Sequence, residues 1–466
     1  MKKRITAQIP EWSLVFALFV FASVSFADNQ RLAERTAVVS KEVETIRELP
    51  FLEPVKTQVQ SLEDFEQHVI SEIRKQYGED KGAGFIRALV RLGAIDEIVD
   101  LEELYTGLLK SQAAAYYDPR SEVYYLLTPD AETTLLDYIT SHELVHALQH
   151  QHFNLYELML ANPQRWHDNM DAAYAMQCLV EGDATVVMSL WLLRSLQPVK
   201  PAVDQLMHML RLMLRMQAEM DYETMLSMAK MSGDGMGGLG GLGDTLDDLE
   251  NFPRYIVESM LSTYIHGAVM VMEVWRDGGW QAVNALYTNP PASTEQVLYP
   301  GKLRAPRDEP VDVRRAEFFK PLGGEWRQVA SSVAGQLGMR IMFSMWQDLE
   351  NHDEAYARAA AKDWGGDRYY LYENSTTGEE LLAWFTVWDN EAAAARFAEA
   401  MTAAAQRRFP GSNRNDEDTD AQMLRIQTTD NRSLLLLRNG KTVTWLDADH
   451  PRIIDALNQY PGSPNE

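Results

Sequence analysis

Apolar and polar residues recur at helical spacing through residues 28–110, which predicts a mostly helical stretch. The pattern changes at 115–128 (AYYDPRSEVYYLLT). Tyr116 and Tyr117 precede the turn signal Asp118-Pro119, and Val123-Tyr124-Tyr125-Leu126 follow with strong β propensity, so a hairpin is expected. No Gly or Pro interrupts residues 131–160, and Leu144, Val145 and Leu148 can bury one side of a helix capped by Thr133 or Thr134. A further helix is predicted at 168–193, followed by a break at Pro198 and Pro201. Residues 204–231 read as a long Met-rich helix. Thioethers suit soft metals such as copper, but the interleaved Leu206, Leu210, Leu212 and Leu214 favour plain packing.

Residues 232–244 (SGDGMGGLGGLGD) are glycine-rich and lack the Lys and Ser/Thr of a phosphate loop, so they read as a tether or lid. Helix resumes at 254–276. Residues 288–300 (TNPPASTEQVLYP) form a proline-marked loop with a short turn capped by Ser293 or Thr294. Composition loosens around 305–330. Beyond it come a helical pair near 329–362, strands at 368–373 and 381–388, and a helix at 390–407. An acidic linker at 413–420 leads to strands at 422–428, 433–438 and 441–446 and a last helix at 450–459. The expected fold class is α+β. A mainly helical domain at 28–315 carries the small hairpin, and an α+β domain at 316–466 shows no catalytic constellation.

The first residues change the picture of where the chain works. Lys2, Lys3 and Arg4 precede a short apolar run at 13–24, and Ser25-Phe26-Ala27 offers small residues for cleavage after Ala27. Residues 1–27 are therefore expected to be a signal peptide and the product periplasmic or secreted, with an uncleaved anchor as the alternative. Cys178 is the only cysteine, so no intrachain disulfide can form and stability must come from the core. The net charge of −25, about −27 without the leader, argues against nucleic acid and anionic membrane surfaces as partners.

Residues 142–146 read HELVH. On a helix His142 and His146 lie one turn apart on one face, within reach of one metal ion, and Glu143 stands beside them as a candidate proton acceptor. A bland reading is a helix with a half-buried polar stripe. A catalytic metal needs a third protein ligand, and Glu181 in LVEGDAT is the candidate because it ends an apolar helical run. Gly182 and Ala184 suggest close approach of two helix backbones. His150 and His152 read as outer or surface groups, and Asp168, Asp171 and Asp183 as candidates to orient the imidazoles.

HELVH followed by Ala-Leu-Gln, with Glu-Gly-Asp-Ala downstream, resembles the gluzincin clan of zinc metallopeptidases. The wider set YYDP, HELVHALQHQHF, LVEGDAT and PPASTEQVLYP, over roughly residues 110–303, is similar to a group of exported bacterial proteins. The resemblance implies a zincin-like domain. His142, His146 and Glu181 would bind zinc, and Glu143 would be the general base. The aminopeptidase branch's N-terminus-binding motif is absent, and the gap from His146 to Glu181 exceeds that of thermolysin-like enzymes, so endo- or exo-cleavage stays open. Tyr264 and His266 are the candidate donors to the developing oxyanion, with Ser293 to Gln296 shaping the cleft. The expected activity is zinc-dependent hydrolysis of peptide or protein substrates. The alternative is a non-catalytic binding or chaperone-like protein with a structural or vestigial metal site.

Overall fold

The computed structural model describes residues 29–458 except 78–81, 113, 128–132, 162–167, 228–248, 250, 347–353, 417–422 and 430. The predicted signal peptide and the glycine-rich segment at 232–244 lie outside the described residues. The fold is α+β. The helices are α1 (Asn29–Arg47), α2 (Leu62–Tyr77), α3 (Ala83–Leu92), α4 (Leu101–Gln112), α5 (Thr133–Phe153), α6 (Met170–Ser195) and α7 (Val203–Ala218). They continue with α8 (Arg254–Thr288), α9 (Thr294–Leu298), α10 (Gly335–Met345), α11 (Glu354–Ala361), α12 (Glu391–Arg408) and α13 (Pro451–Asn458). Strands β1 (Lys56–Val59), β2 (Ala115–Asp118) and β3 (Val123–Leu126) form a small sheet in the order β1-β3-β2. Strands β4 (Trp326–Ser332), β5 (Trp364–Asn374), β6 (Glu380–Trp388), β7 (Asn413–Asp416), β8 (Met423–Gln427), β9 (Ser433–Asn439) and β10 (Thr442–Ala448) form an antiparallel sheet ordered β4-β5-β6-β10-β9-β8-β7.

The hairpin expected at 115–128 is present as antiparallel β2 and β3, with Asp118-Pro119 opening its turn. Strand β1 falls inside the stretch read as helical. Its four residues Lys-Thr-Gln-Val carry no apolar period, and their conformation is set by parallel pairing with β3, 67 residues away in sequence, from Lys56↔Val123 to Val59↔Leu126. Likewise β4 replaces the start of the helical pair predicted from 329. It is an edge strand fixed by pairing with β5. Part of the predicted acidic linker, 413–416, is strand β7. Helix α8 runs on to Thr288 through a kink at Gly278 and Gly279.

One core packs α5, α6, α7 and α8 together around Leu144, Leu148, Leu179, Val180, Met270 and Val271. A second lies on one face of the large sheet, where Trp364, Trp384 and Phe397 meet Ile86 and Leu89 of α3 and Ile256 of α8. Segments from both sides of residue 315 thus share a core. The sheet is joined to α10 by buried Asp367, which accepts Ala334 N–H (2.9 Å), Gly335 N–H (2.9 Å), Trp364 Nε1–H (3.0 Å) and Trp384 Nε1–H (2.8 Å).

Helices α6 and α8 cross at Gly182 and Gly267, the close approach that Gly182 suggested from sequence. A Cβ on Gly182 would stand 2.1 Å from the Gly267 carbonyl carbon. That atom is backbone, so the helices would have to separate. Gly182→Ala is expected to lower stability by about 1–3 kcal/mol, despite the higher helix propensity of Ala. Thermal denaturation checks this; an unchanged or raised Tm would contradict it.

Candidate metal centre

Two helices carry the centre. Thr133 opens α5, and Leu144, Val145 and Leu148 are fully buried behind the HELVH face. On α6, Asn169 Oδ1 caps the first turn by accepting Ala172 N–H (2.9 Å), and an apolar run of Ala, Met, Leu and Val residues carries Glu181 into the core. Packing α6 against α5 brings the two imidazoles and the carboxylate together. His142 Nε2 lies 3.1 Å from His146 Nε2 and 3.2 Å from Glu181 Oε2, and His146 Nε2 lies 3.7 Å from the same oxygen. All three residues, and Glu143, are at most 1 % exposed. This buried cluster can hold a metal ion.

Its electrostatics suit that role. Burial pushes His142 below its ordinary pKa. Burial acts the same way on His146, but the Glu181 carboxylate and its hydrogen bonds prevail and hold this imidazole up at about 9. Glu181, which burial would raise, is held below the usual carboxylate value by His146 and His142. A metal entering the cluster therefore displaces a proton.

The tautomer of His146 is fixed by Gln149. Gln149 Nε2 donates to Val180 O (2.9 Å) and Asp183 Oδ2 (3.4 Å), so its Oε1 is the atom facing His146 Nδ1 at 2.9 Å. That nitrogen must carry the hydrogen, and the neutral ring then turns the Nε2 lone pair to the cluster. Asp183 is itself held by Arg47 Nε (2.8 Å) and Tyr287 Oη (2.8 Å). Arg47 also donates to Asn284 Oδ1 (2.6 Å) and stacks over Trp280 at 4.4 Å. Of the three candidate orienting acids only Asp183 belongs to this network, one residue removed from the imidazole. Arg47 and Tyr287 escaped the sequence reading, and Gln149 entered it only as part of the Ala-Leu-Gln motif, without a role. Gln149 alone left a signal, three residues past His146 on the same helix face.

Glu143 is positioned by the hairpin: Tyr117 N–H on edge strand β2 donates to its Oε2 at 2.8 Å. Tyr264 faces the cluster from α8, its ring 6.0 Å from that of His142. Burial, then the charges of Glu181 and Glu143, keep its phenol well above the ordinary value and so protonated. His266 is not brought to the centre, which corrects the expectation. Residues two apart on a helix project about 200° apart, so with Tyr264 turned to His142, His266 faces the other way. Its Nε2 lies 3.3 Å from Arg340 Nη1. Burial and then the Arg340 charge push its pKa down to about 3, leaving it neutral. His150 lines an open cleft of about 730 Å³ with Glu53, Pro119 and Glu122, its ring 6.0 Å from that of Tyr117. Half-buried His152 donates to Pro50 O at 2.7 Å.

Ser293 to Gln296 do a different job from the one expected. Ser293 caps α9, and the Thr294 N–H and hydroxyl both bind Asp171 near the start of α6. Asp168 accepts Arg368 Nη1–H through its backbone carbonyl at 2.9 Å. Burial and then the charge of Asp367 raise Asp171 to about 7 from an ordinary 3.8. A carboxyl whose folded pKa is raised contributes stability that is full below the unfolded value and is lost as pH rises through the folded one. The Asp171 contribution to stability should fall by on the order of 1 kcal/mol per pH unit between about pH 4 and 7. Asp171→Asn should flatten this part of the slope. Tm measured across that range tests it, and an unaltered slope in the variant would contradict the assignment.

A family model described as a domain of unknown function (DUF8575) matches residues 321–458, which hold the large sheet and helices α10 to α13 and leave the metal centre outside the match. No curated protein and no solved structure matches the chain.

Proposed function

We propose that the chain is an exported zinc-dependent peptidase of gluzincin type. The observation that carries this reading is the convergence of His142 Nε2, His146 Nε2 and Glu181 Oε2, with Glu143 held beside them by a strand N–H. The donor set fits zinc. Tetrahedral bonds of about 2.0–2.1 Å place neighbouring ligand atoms about 3.3 Å apart, against the 3.1, 3.2 and 3.7 Å found here. Two imidazoles and one carboxylate also leave the net charge and the vacant fourth position that hydrolytic zinc uses.

Zinc bound there supplies Lewis acidity, which acidifies water and polarises a carbonyl. The chain's own residues do the rest. Gln149 and the Asp183–Arg47 pair hold His146 in its ligating tautomer. Glu143, fixed by Tyr117 N–H, takes the proton of the attacking water and passes it to the leaving amine. Tyr264, kept protonated, donates to the oxygen on which negative charge develops. Strand β2 is the edge of its sheet and lies against α5, where an extended peptide can add as a further strand.

The burial of the whole cluster favours a second reading, a structural metal site in a non-catalytic binding protein. A structural zinc is closed by a fourth protein donor, whereas the described residues offer three. Metal analysis with X-ray absorption on the purified chain separates the two. One zinc with two imidazoles, one carboxylate and an exchangeable oxygen is expected. A fourth protein ligand would favour the structural reading.

A further inference from the structure

His266, turned away from the metal cluster, opens onto a different feature. A cavity of about 410 Å³ lies between α7, α8, α10, α11 and the turn from Tyr299 to Arg304. Arg215, Arg304, Arg340 and Arg358 line it, opposed by only two lining carboxylates, Glu219 and Glu273. In a chain of net charge −25 this gathering of guanidiniums runs against the overall composition. We propose that the cavity is a binding site for a small anion presenting a carboxylate or phosphate group, separate from the metal centre.

The donor count points to an oxygen-rich ligand. Each guanidinium carries five N–H donors and no acceptor, while an ionised carboxylate offers about four lone-pair sites. Four arginines carry about twenty donors and share four carboxylates, Glu219, Glu273, Asp277 and Glu354, of which Glu273 also serves Arg211 and Arg276 and Glu354 lies 4.0 Å from Arg254. The existing ion pairs do not close this gap. Arg215 reaches Glu273 only at 3.5 Å, and Arg340 Nε reaches Glu354 only at 3.5 Å. Arg304 and Arg358 pair with Asp277 and Glu219, whose side chains are 40 % and 73 % exposed, so water screens both contacts. Arg358 Nη2 donates to Glu219 O (3.0 Å) and Ala218 O (3.4 Å), while its buried Nε, 4.0 Å from Glu354 Oε2, has no hydrogen-bond partner among the described residues. Arg340, nine-tenths buried, faces the Nε2 of a neutral His266, an uncharged acceptor that does not cancel its charge.

The rest of the wall limits the ligand's size and shape. Val269, Leu298 and Pro300 give the cavity an apolar side, and its volume is near the small end of ligand pockets, roughly 300–1,000 Å³. Forked guanidiniums match the paired oxygens of carboxylate and phosphate. The site also explains a part of the PPASTEQVLYP stretch that the metal centre leaves unused. Its Thr294 anchors the segment to α6, and its Tyr299 and Pro300 form one wall of the cavity.

The test is the thermal shift of the full chain with inorganic phosphate and with succinate, at constant ionic strength against chloride, with and without chelator. A saturable rise in Tm with at least one anion is expected by linkage, and the two arms show which oxygen group the site takes. The rise should survive the chelator. Arg340→Gln and Arg358→Gln should each weaken the apparent affinity about tenfold or more. Arg304→Gln, at the exposed rim, gives a folded comparison with a smaller loss of about threefold. No saturable rise with either anion would overturn the proposal. So would a rise abolished by chelation, which would put the anion on the metal, or one of equal affinity in Arg304→Gln and Arg358→Gln and wild type.

Discussion

Glu143→Gln is expected to keep its metal and lose peptide hydrolysis by roughly a hundredfold to ten-thousandfold, the usual share of a general base. Shape and local contacts favour a clean result. A glutamine amide oxygen can accept the Tyr117 N–H that now holds the carboxylate at 2.8 Å, so the side chain keeps its anchor. What is lost is the capacity to take a proton. Because Glu143 is not one of the three converging donors, zinc content should stay at one per chain. The measurement pairs metal analysis with turnover of a cleaved peptide. Undiminished turnover would remove Glu143 from the mechanism, and loss of metal together with activity would make it a ligand or a structural group instead.

Glu181→Ala should act on the other half of the site. It removes the only anion among the three donors, leaves the imidazoles of His142 and His146 without their shared partner, and opens a void in a fully buried position. Zinc affinity is expected to fall by well over the tenfold to hundredfold seen when only an orienting partner is lost. The structural loss can be separated from the loss of charge with Glu181→Gln, which preserves volume and removes the anion. Competition against a chromophoric chelator reads both variants. If Glu181→Ala bound zinc as tightly as the unaltered chain, the third ligand would have to come from elsewhere.

The parts of this site that were legible in sequence are those fixed by local geometry. His142, Glu143 and His146 were legible because a helix with no Gly or Pro leaves their relative positions no choice. Glu181 was legible because a carboxylate at the end of an apolar run demands compensation, and Gly182 because glycine inside a core helix usually marks a close neighbour. The hairpin could be read from Asp118-Pro119 between two tyrosine-rich runs. What depends on distant partners was hidden. Arg47 lies 136 residues before Asp183, and no spacing connects them. Strand β1 gains its conformation from pairing with β3, and β4 from pairing with β5. Tyr264 and His266 looked equivalent as residue types; helical phase separates them once the facing of α8 is set by Gly267 against α6. That phase turned His266 from a partner of the metal cluster into a wall of the arginine-lined cavity.

The central claim is that the cluster of His142, His146 and Glu181 works as a hydrolytic zinc centre. Mass spectrometry of a peptide library incubated with the purified chain tests it most directly, run as purified, after chelation and after zinc is restored. The account predicts defined cleavage products that vanish with the chelator and return with zinc. Cleavage that the chelator leaves intact would contradict it, as would a chain loaded with zinc that cuts nothing in the library.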